Sequence, residues 1–186
     1  QLKYVRKEQE EITMTFHETD IHTLSFNPFD KISKQWMLIT AGDRNGSNTM
    51  TASWGGIGIM WGKPVATAYI RPQRYTKEFV DNNEYFTLSF LPEEQRKALN
   101  ICGSVSGRDV EDKWKEAGLH PCYLNEGTPD EVAAVEEAEM VFECRKLYAQ
   151  EMLPECFIDT ECDTKWYPTK DYHTMYIAEI VKVWIK

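Results

Sequence analysis

The chain has 186 residues, of which 42% are hydrophobic and 12% aromatic, so it can bury one substantial core and we expect a single domain over residues 1–186. Its 30 acidic and 21 basic side chains give a net charge of −9, which disfavours nucleic acid and anionic membranes as partners. No apolar run reaches the roughly 18 residues that span a bilayer, and the polar start at 1–11 is unlike a secretory signal, so we expect a cytoplasmic protein.

Short apolar runs alternate with turn signals along the chain, a pattern typical of a β-rich domain with a few helices. We therefore expect a fold that is mainly β. An Asn-Gly pair at 45–46 predicts a tight hairpin between the first two strands. The predicted strands, in chain order, are 36–41, 48–54, 63–70, 85–91, 138–152 and 172–185.

Helix signals lie between these strands. Thr76 is a candidate N-cap for a short helix that runs to Asn82, and Pro92 precedes a helix that ends near Gly103. A further helix is expected over 109–118, and 130–139 is interpreted as an acidic connection. The glycine-rich segment 56–62 is followed by a strand rather than a helix, so we interpret it as a hairpin or bulged loop and not as a dinucleotide-binding fingerprint.

Cysteines and histidines give no metal-binding pattern. Five cysteines, an odd number, argue against a secreted disulfide framework and indicate free thiols. The five-residue gap between Cys156 and Cys162 matches no zinc knuckle. His17 and His22 would lie about 140° apart around a helix and could not face one ion. We expect no metal site.

The strand 48–54 (NTMTASW) is the first candidate for a ligand site. Its hydroxyl side chains alternate onto one face, namely Thr49, Thr51 and Ser53. Its apolar side chains take the other face, namely Met50, Ala52 and Trp54. An ordinary half-buried strand has the same pattern, so this segment indicates a ligand only in the context of its neighbours.

The segment 71–76 (RPQRYT) ends one strand and opens one helix. Arg71 and Arg74 therefore flank a helix N-terminus, where free amides and the Thr76 hydroxyl suit phosphate oxygens. The alternative is a pair of surface arginines beside a capping threonine.

The segment 102–109 (CGSVSGRD) joins two helices, and its glycines and serines allow a ligand to approach the backbone closely. The alternative is a flexible connection in which Asp109 simply caps the next helix.

His173, on the last predicted strand, is either a structural group or a residue that contacts a nicotinamide or substrate.

Taken together, the three segments supply hydroxyl groups, two guanidinium groups, backbone amides that neighbouring glycines leave accessible, and aromatic rings. This combination fits a phosphorylated, planar, heteroaromatic ligand, and it favours flavin mononucleotide (FMN) over a metal or a nucleic acid. No serine, histidine and acid arrangement with a nucleophile elbow is present, which disfavours a hydrolase.

From about residue 36 to its end the chain resembles the flavin reductase-like family of FMN-binding split barrels, in particular its flavoredoxin-type branch. Four ordered segments carry the resemblance: 48–54, 71–76, 102–109 and 173–179 (HTMYIAE). It implies a split β-barrel of Greek-key type that dimerises, with FMN near the subunit interface. Residues 1–30 form an N-terminal extension that the resemblance does not explain.

The resemblance also implies residue roles. Residues such as Arg71, Arg74 and Thr76 would hold the phosphate. The isoalloxazine ring would be lined by Asn48, Thr49, Thr51, Ala52, Ser53 and Trp54. Ser89 stands where many family members carry asparagine. The candidate catalytic residue is His173, and the implied cofactor-binding residues are Asn48, Thr49, Met50, Thr51, Ala52, Ser53, Trp54, Arg71, Arg74, Tyr75, Thr76, Ser89, Cys102, Gly103, Ser104, Ser106 and Gly107.

The implied activity is that of a flavin reductase or flavoredoxin-like oxidoreductase, in which NAD(P)H delivers a hydride to FMN and electrons pass to an acceptor. Two alternatives stay open. One is an FMN-bound electron carrier whose acidic surface steers a redox partner protein. The other is a flavin-binding domain without turnover. Repeated oxidation of NAD(P)H would separate the enzyme from both, and the sequence does not choose between NADH and NADPH.

Overall fold

The computed structural model describes residues 15–186, and an antiparallel sheet of eight strands dominates this part of the chain. Two further strands form a separate hairpin, β7 (Pro121–Leu124) and β8 (Val132–Val135). The strands of the main sheet are β1 (His17–Thr19), β2 (Met37–Asp43), β3 (Gly46–Ala52), β4 (Gly55–Met60), β5 (Lys63–Ile70), β6 (Tyr85–Phe90), β9 (Met140–Glu151) and β10 (Thr174–Ile185).

The helices are short and lie between the strands. Three-residue 3₁₀ turns are also present at Ile21–Thr23, Glu93–Gln95 and Pro154–Cys156. The α-helices are α1 (Pro28–Asp30), which continues as a π-helical segment Lys31–Gln35, then α2 (Thr76–Asn82), α3 (Arg96–Ser104), α4 (Lys113–Ala117) and α5 (Thr160–Trp166).

The main sheet curls around an apolar core. Its strand order is β3-β2-β6-β9-β10-β5-β4, with β1 added to β10. Met50 of β3 and Ala66 of β5 belong to one buried cluster, so strands near opposite ends of the path meet across the interior. β3 and β4 are the two end strands and share no ladder among the described pairings, so the barrel is split between them. The chain crosses this split in only two residues, Ser53 and Trp54.

A second core covers part of the outer face of the barrel. Leu38 of β2 and Val141 of β9 pack there against Leu99 of α3 and against β8. Each fully buried leucine or valine stabilises the fold by about 1.5–3 kcal/mol. This packing fixes α3 against β3, which brings the 102–109 segment to the strand that carries the NTMTASW motif.

Most predicted strands are present with shifted bounds. β3 begins and ends two residues earlier than expected, because the Asn-Gly turn is as tight as the sequence predicts and pairs Asp43 with Gly46. The predicted hairpin at 56–62 is formed by β4 and β5, with Trp61 and Gly62 in the turn. The last strand begins at Thr174, so His173 immediately precedes it.

Three local predictions were wrong. The acidic connection 130–139 contains β8, whose four residues are all buried. The helix expected over 109–118 is shorter, because only Lys113–Ala117 (α4) is helical. Gly118 ends it as predicted, in the left-handed conformation. Thr76 is the first residue of α2 rather than its cap, and its side chain is 1% exposed.

The polar start at 1–11 lies outside the described residues, as does the extension up to residue 14. The remainder of that extension contributes β1, which pairs with β10, and α1. Across residues 15–186, no helix combines the length and the apolar character that crossing a bilayer requires.

Candidate functional site

The three segments singled out in the sequence meet beside the split. Gly107 lies so close to Asn48 that a Cβ added at Gly107 would approach the Asn48 Oδ1 to 2.5 Å and the Tyr75 Cδ1 to 3.0 Å. Asn48 Nδ2 donates a hydrogen bond of 2.8 Å to Thr76 Oγ1. One residue from each segment thus takes part in a single contact, and a glycine is required where they meet.

Two cations hold the C-terminal end of α3 against β3. Arg74 donates from Nη2 to the Cys102 carbonyl and from Nη1 to the Gly103 carbonyl, both at 3.0 Å. Lys113 Nζ donates to the Thr49 carbonyl at 2.7 Å and to the Cys102 carbonyl at 3.1 Å. The last carbonyls of a helix lack intrahelical partners and carry partial negative charge, which explains why two cations gather there.

Burial lowers the pKa of both cations. Lys113 is 6% exposed, and desolvation lowers its pKa from 10.5 to about 8. Desolvation also lowers the pKa of Arg74. Neither side chain has a carboxylate in hydrogen-bond or salt-bridge contact within the described part of the chain. The site therefore carries excess positive charge inside an acidic protein, which favours an anionic ligand nearby.

Arg71 connects the end of β5 to the segment before β10. Its Nη1 lies 2.5 Å from Asp171 Oδ2, and its Nη2 donates to the Trp166 carbonyl at 2.9 Å. The Gln73 amide and the Arg71 guanidinium hold the pKa of Asp171 well below its usual value. Arg71 also lies over the ring of Tyr167, 5.0 Å from its centroid.

His173 is buried in a group of aromatic side chains. Its Nδ1 is 2.7 Å from the hydroxyl of Tyr167, and its ring centroid is 5.2 Å from that of Trp54. Burial, followed by the neighbouring charge of Arg71, lowers the His173 pKa from 6.5 to about 4. The imidazole is therefore neutral at pH 7, and Nε2 is the nitrogen left for a ligand.

Two cavities adjoin at the split and share Ser53, Trp54, Tyr69 and Trp166 as lining residues. The smaller, of about 210 Å³, is polar and is also lined by Arg71, Arg74 and His173. The larger, of about 570 Å³, lies between α1, β4 and α5. Ligand pockets typically occupy about 300–1,000 Å³, so the two together have room for a cofactor-sized molecule.

The structure separates the predicted site residues into two groups. Seven line the smaller cavity: Thr51, Ala52, Ser53, Trp54, Arg71, Arg74 and His173. The other eleven do not line this cavity, and several of them are buried or lie in loops. They are Asn48, Thr49, Met50, Tyr75, Thr76, Ser89, Cys102, Gly103, Ser104, Ser106 and Gly107.

Ser89 faces the outer core rather than the cavity. It pairs with Leu38 and Val141, which belong to the outer core. Its Oγ is buried and has no hydrogen-bond partner among the described residues. Met50 points the other way, into the barrel interior.

Sequence reasoning missed several residues of the site. Lys113 follows the Asp112 that caps α4, but nothing in the local pattern marks it as buried. Trp166 lies in a polar, acidic stretch, yet its ring meets that of Trp54 edge to face at 5.0 Å between centroids. Tyr69 stands on a strand that the sequence predicts, although its contact with the split was not predicted.

Within residues 15–186, no cluster of three or more histidine, cysteine or acidic side chains is arranged to hold a metal ion. All five cysteines are free, with Cys156 and Cys162 exposed.

A curled antiparallel sheet that opens beside a polar and aromatic cleft places this protein among the mainly β split barrels. The family model described as "Flavin reductase like domain" matches residues 29–186. The chain therefore belongs to the flavin reductase-like family, and the family predicted from the four sequence segments is confirmed.

Solved structures with a similar fold include an FMN-binding domain of a flavin reductase-like enzyme from Shewanella baltica, with a TM-score of 0.65 and 16% identity over 92% of this chain and 77% of that one. The flavoredoxin of Methanosarcina acetivorans has a TM-score of 0.62 and 19% identity over 82% of this chain and 68% of that one. The flavoredoxin of Desulfovibrio vulgaris has a TM-score of 0.60 and 23% identity over 88% and 73%. At these identities the likeness shows the split-barrel fold. No curated relative matches the chain.

Proposed function

We propose that the chain binds FMN at the split between β3 and β4 and acts as an NAD(P)H-dependent flavin oxidoreductase. The observation that carries the proposal is the adjoining pair of cavities, one with arginines and hydroxyls and the other with aromatic walls. A phosphorylated, planar cofactor needs both environments side by side. The family match and the FMN-binding neighbours support the same ligand.

The smaller cavity suits the phosphate and ribityl chain of FMN. Arg71 and Arg74 supply charged donors there, and Ser53 supplies a hydroxyl. The hydroxyl of Thr51, which also lines this cavity, already donates to the Leu99 carbonyl. The isoalloxazine ring would lie toward Trp54 and Trp166, which border both cavities and offer flat apolar surfaces. When bound, FMN supplies a ring that accepts a hydride from NAD(P)H and passes electrons to an acceptor.

Residues behind the cavity hold its walls in place. Asn48 and Thr76 join β3 to α2, and Lys113 joins β3 to α3. We assign Asn48, Thr76 and Lys113 a supporting role, because each side chain is less than a tenth exposed and lines neither cavity. Pre-positioned walls reduce the entropic cost of binding a flexible cofactor.

His173 is the proposed proton-handling group at the ring. Its low pKa keeps the imidazole neutral at physiological pH, so Nε2 can accept or donate one hydrogen bond without placing a fixed positive charge there. The Tyr167 hydroxyl at Nδ1 fixes the orientation of the imidazole.

An electron carrier is the second candidate function. The net charge of −9 favours it, because an acidic surface speeds encounters with a basic redox partner at low salt.

In either function we propose a homodimer, in keeping with the family resemblance. Sedimentation analysis of the purified chain tests the dimer, and a strictly monomeric protein would refute it.

The test of function is an anaerobic visible spectrum of the FMN-loaded protein, recorded before and after NADH or NADPH is added. Bleaching of the band near roughly 450 nm, followed by return of the colour and repeated turnover in air, is expected for a reductase. Bound flavin that resists both nicotinamides but is reduced by dithionite would favour the electron carrier. Failure to bind FMN would refute both functions.

A further inference from the structure

The hydroxyl of Tyr167 has two hydrogen-bond acceptors within reach among the described residues. His173 Nδ1 lies 2.7 Å from the hydroxyl oxygen, and Met152 Sδ lies 3.5 Å from it. Tyr167 is only 4% exposed, so the protein supplies its principal partners. A thioether sulfur is a weak acceptor, whereas an unprotonated imidazole nitrogen accepts readily. The shorter and stronger of the two hydrogen bonds is therefore the one to His173.

The protonation states of the two side chains leave only the direction of this hydrogen bond to be decided. Burial raises the pKa of Tyr167, so its hydroxyl keeps its proton at pH 7. The imidazole of His173 is neutral and carries a proton on one of its two nitrogens. If Tyr167 donates to Nδ1, the imidazole proton lies on Nε2. If Nδ1 donates to Tyr167 instead, the hydroxyl proton is left with the sulfur of Met152.

Packing holds the Tyr167 hydroxyl beside Nδ1. The backbone amide of Met152 donates to the His173 carbonyl at 2.9 Å, which joins the residue after β9 to the residue before β10. The Tyr167 ring meets the imidazole edge to face, with 5.5 Å between centroids. Its other neighbours include the ring of Tyr172 and the guanidinium of Arg71, each at 5.0 Å. The pair is thus arranged by the fold rather than by a ligand.

The second imidazole nitrogen is open to the smaller cavity, which His173 helps to line. Within residues 15–186, Ser89 Oγ is the one buried side-chain nitrogen or oxygen that has no hydrogen-bond partner. Nε2 of His173 has no partner in this part of the chain either, so it is not enclosed. A proton on Nε2 is therefore accessible to a ligand in this cavity.

We propose that Tyr167 is a positioning residue whose hydroxyl donates to Nδ1 and holds His173 in the tautomer with its proton on Nε2, so that His173 presents a hydrogen-bond donor to the cofactor. The inference deepens the proposed function and rests on it for the identity of the ligand. The edge of an oxidised flavin ring carries carbonyl oxygens and unprotonated nitrogens, which accept hydrogen bonds. Uptake of a hydride adds negative charge to the ring, and a donor already in place stabilises that charge without reorienting.

The tautomer is measured first on the cofactor-free protein. Proton–nitrogen NMR of the isotope-labelled chain at pH 7 correlates the imidazole nitrogens with the carbon-bound ring protons, and the pattern shows which nitrogen is protonated. His173→Gln identifies the signals of His173 among those of the four histidines, because it removes them. We expect the proton on Nε2. A proton on Nδ1, or a mixture of the two tautomers, would overturn the proposal.

Two variants show whether the Tyr167 hydroxyl sets the tautomer. Tyr167→Phe removes the hydroxyl and keeps the ring. Tyr172→Phe is the matched control, because the Tyr172 ring packs against that of Tyr167 but its hydroxyl donates to Asp163 at 2.8 Å. We expect Tyr167→Phe to convert the single tautomer into a mixture and Tyr172→Phe to keep the proton on Nε2. An unchanged tautomer in Tyr167→Phe, or equal mixtures in both variants, would refute the role of Tyr167.

A redox titration of the FMN-loaded proteins tests the effect of the donor on the cofactor. We expect Tyr167→Phe to weaken the binding of reduced FMN, relative to oxidised FMN, at least about threefold, which lowers the two-electron potential by about 14 mV. Tyr172→Phe should leave the potential unchanged. The same potential in Tyr167→Phe as in the wild type would contradict a donor to the cofactor.

The two measurements separate this inference from the proposed function. If FMN binds but the His173 proton lies on Nδ1, the inference fails and FMN binding stands. If FMN does not bind but the proton lies on Nε2 and depends on Tyr167, the proposed function fails and the positioning of His173 by Tyr167 stands.

Discussion

At the scale of single residues, the site depends on two cations, Arg74 and Lys113, whose hydrogen bonds are made to backbone carbonyls of the protein itself. Arg74, a residue predicted to hold phosphate, already donates both of its terminal nitrogens to carbonyls at the end of α3. Lys113 donates to one of the same carbonyls from the other side. These cations support the wall of the site and also supply its positive charge, so we expect the removal of either one to affect both the fold and the proposed binding of FMN.

Substitution of Lys113 by methionine should destabilise the protein by about 1–3 kcal/mol. The Thr49 carbonyl would lose its Lys113 donor, whereas the Cys102 carbonyl would keep Arg74 as a donor. The desolvation penalty of an unsatisfied carbonyl exceeds the average strength of a hydrogen bond. Lys115→Met, on an exposed position of the same helix, is the control and should change stability by less than about 0.5 kcal/mol. Urea unfolding followed by circular dichroism measures both, and equal stabilities of the two variants would contradict the role of Lys113.

His173 should make stability depend on pH. Its pKa is about 4 in the folded protein against 6.5 for the ordinary side chain, so between these values the unfolded chain binds more protons. Stability from this group is therefore fully present above pH 6.5 and is lost as the pH falls toward 4, by up to about 3 kcal/mol.

The variant His173→Gln isolates this contribution from those of the carboxylates. Its unfolding free energy should fall less steeply than that of the wild type as the pH is lowered from 6.5 to 4.5. Parallel curves for the two proteins in urea titrations across this range would show that His173 is not held neutral by burial.

At the scale of elements, the site forms where three short segments are pressed together. Gly107 belongs to the connection between α3 and α4, Asn48 to β3 and Tyr75 to the turn before α2. The side chain of Asn48 extends this contact to Thr76. The close approach of Gly107 to the Asn48 side chain therefore sets the distance between the α3–α4 connection and β3.

Gly107→Ala should separate these elements. The added Cβ would lie 2.5 Å from Asn48 Oδ1, so we expect a loss of about 1–3 kcal/mol in stability and weaker FMN binding. Gly103→Ala is the matched control, because its Cβ would be 3.6 Å from the nearest side-chain atom and alanine favours the helix there. If both variants unfold at the same urea concentration, the close contact at Gly107 is not what holds the loop.

Local patterns predicted the elements that have a regular period and a clear turn. The hairpin of β2 and β3 follows from the Asn-Gly pair, and the apolar side chains of β3 lie inside the barrel as alternation predicts, with Met50 and Ala52 in the core. β8 was missed because its four buried residues are flanked by acids, so its burial depends on packing against β2 and β6. Lys113 was missed for the same reason, since only tertiary contacts bury it.

The predicted cofactor-binding residues divide in the same way. Sequence motifs identified the segments that meet at the split, but not which residues within them face the cavity. Thr49 and Thr51 share a strand face, yet Thr51 lines the cavity while Thr49 is 1% exposed beneath α4 and bonds to Thr40. The difference is set by the helices that cover this face, which strand periodicity does not describe.

At the scale of the whole molecule, one break in a barrel creates the site. The sheet has β3 and β4 at its ends, and the two-residue link between them exposes Trp54 where both cavities meet. The apolar core inside the barrel keeps the end strands in place, and the outer core holds α3 beside the opening. The proposed binding of FMN across the polar and the apolar cavity depends on this opening.

The most direct test of the central claim is a titration of the cofactor-free protein with FMN, followed by quenching of flavin fluorescence, in the wild type, Arg71→Ala and Arg145→Ala. Arg71 lines the polar cavity, whereas Arg145 pairs with Glu179 on the strand surface and lines neither cavity. We predict saturable binding of one FMN per chain, weakened about tenfold or more by Arg71→Ala and unchanged by Arg145→Ala, because Arg71 offers a charge-assisted contact to the phosphate and Arg145 does not. Absence of FMN binding in the wild type, or equal affinity in all three proteins, would contradict the account.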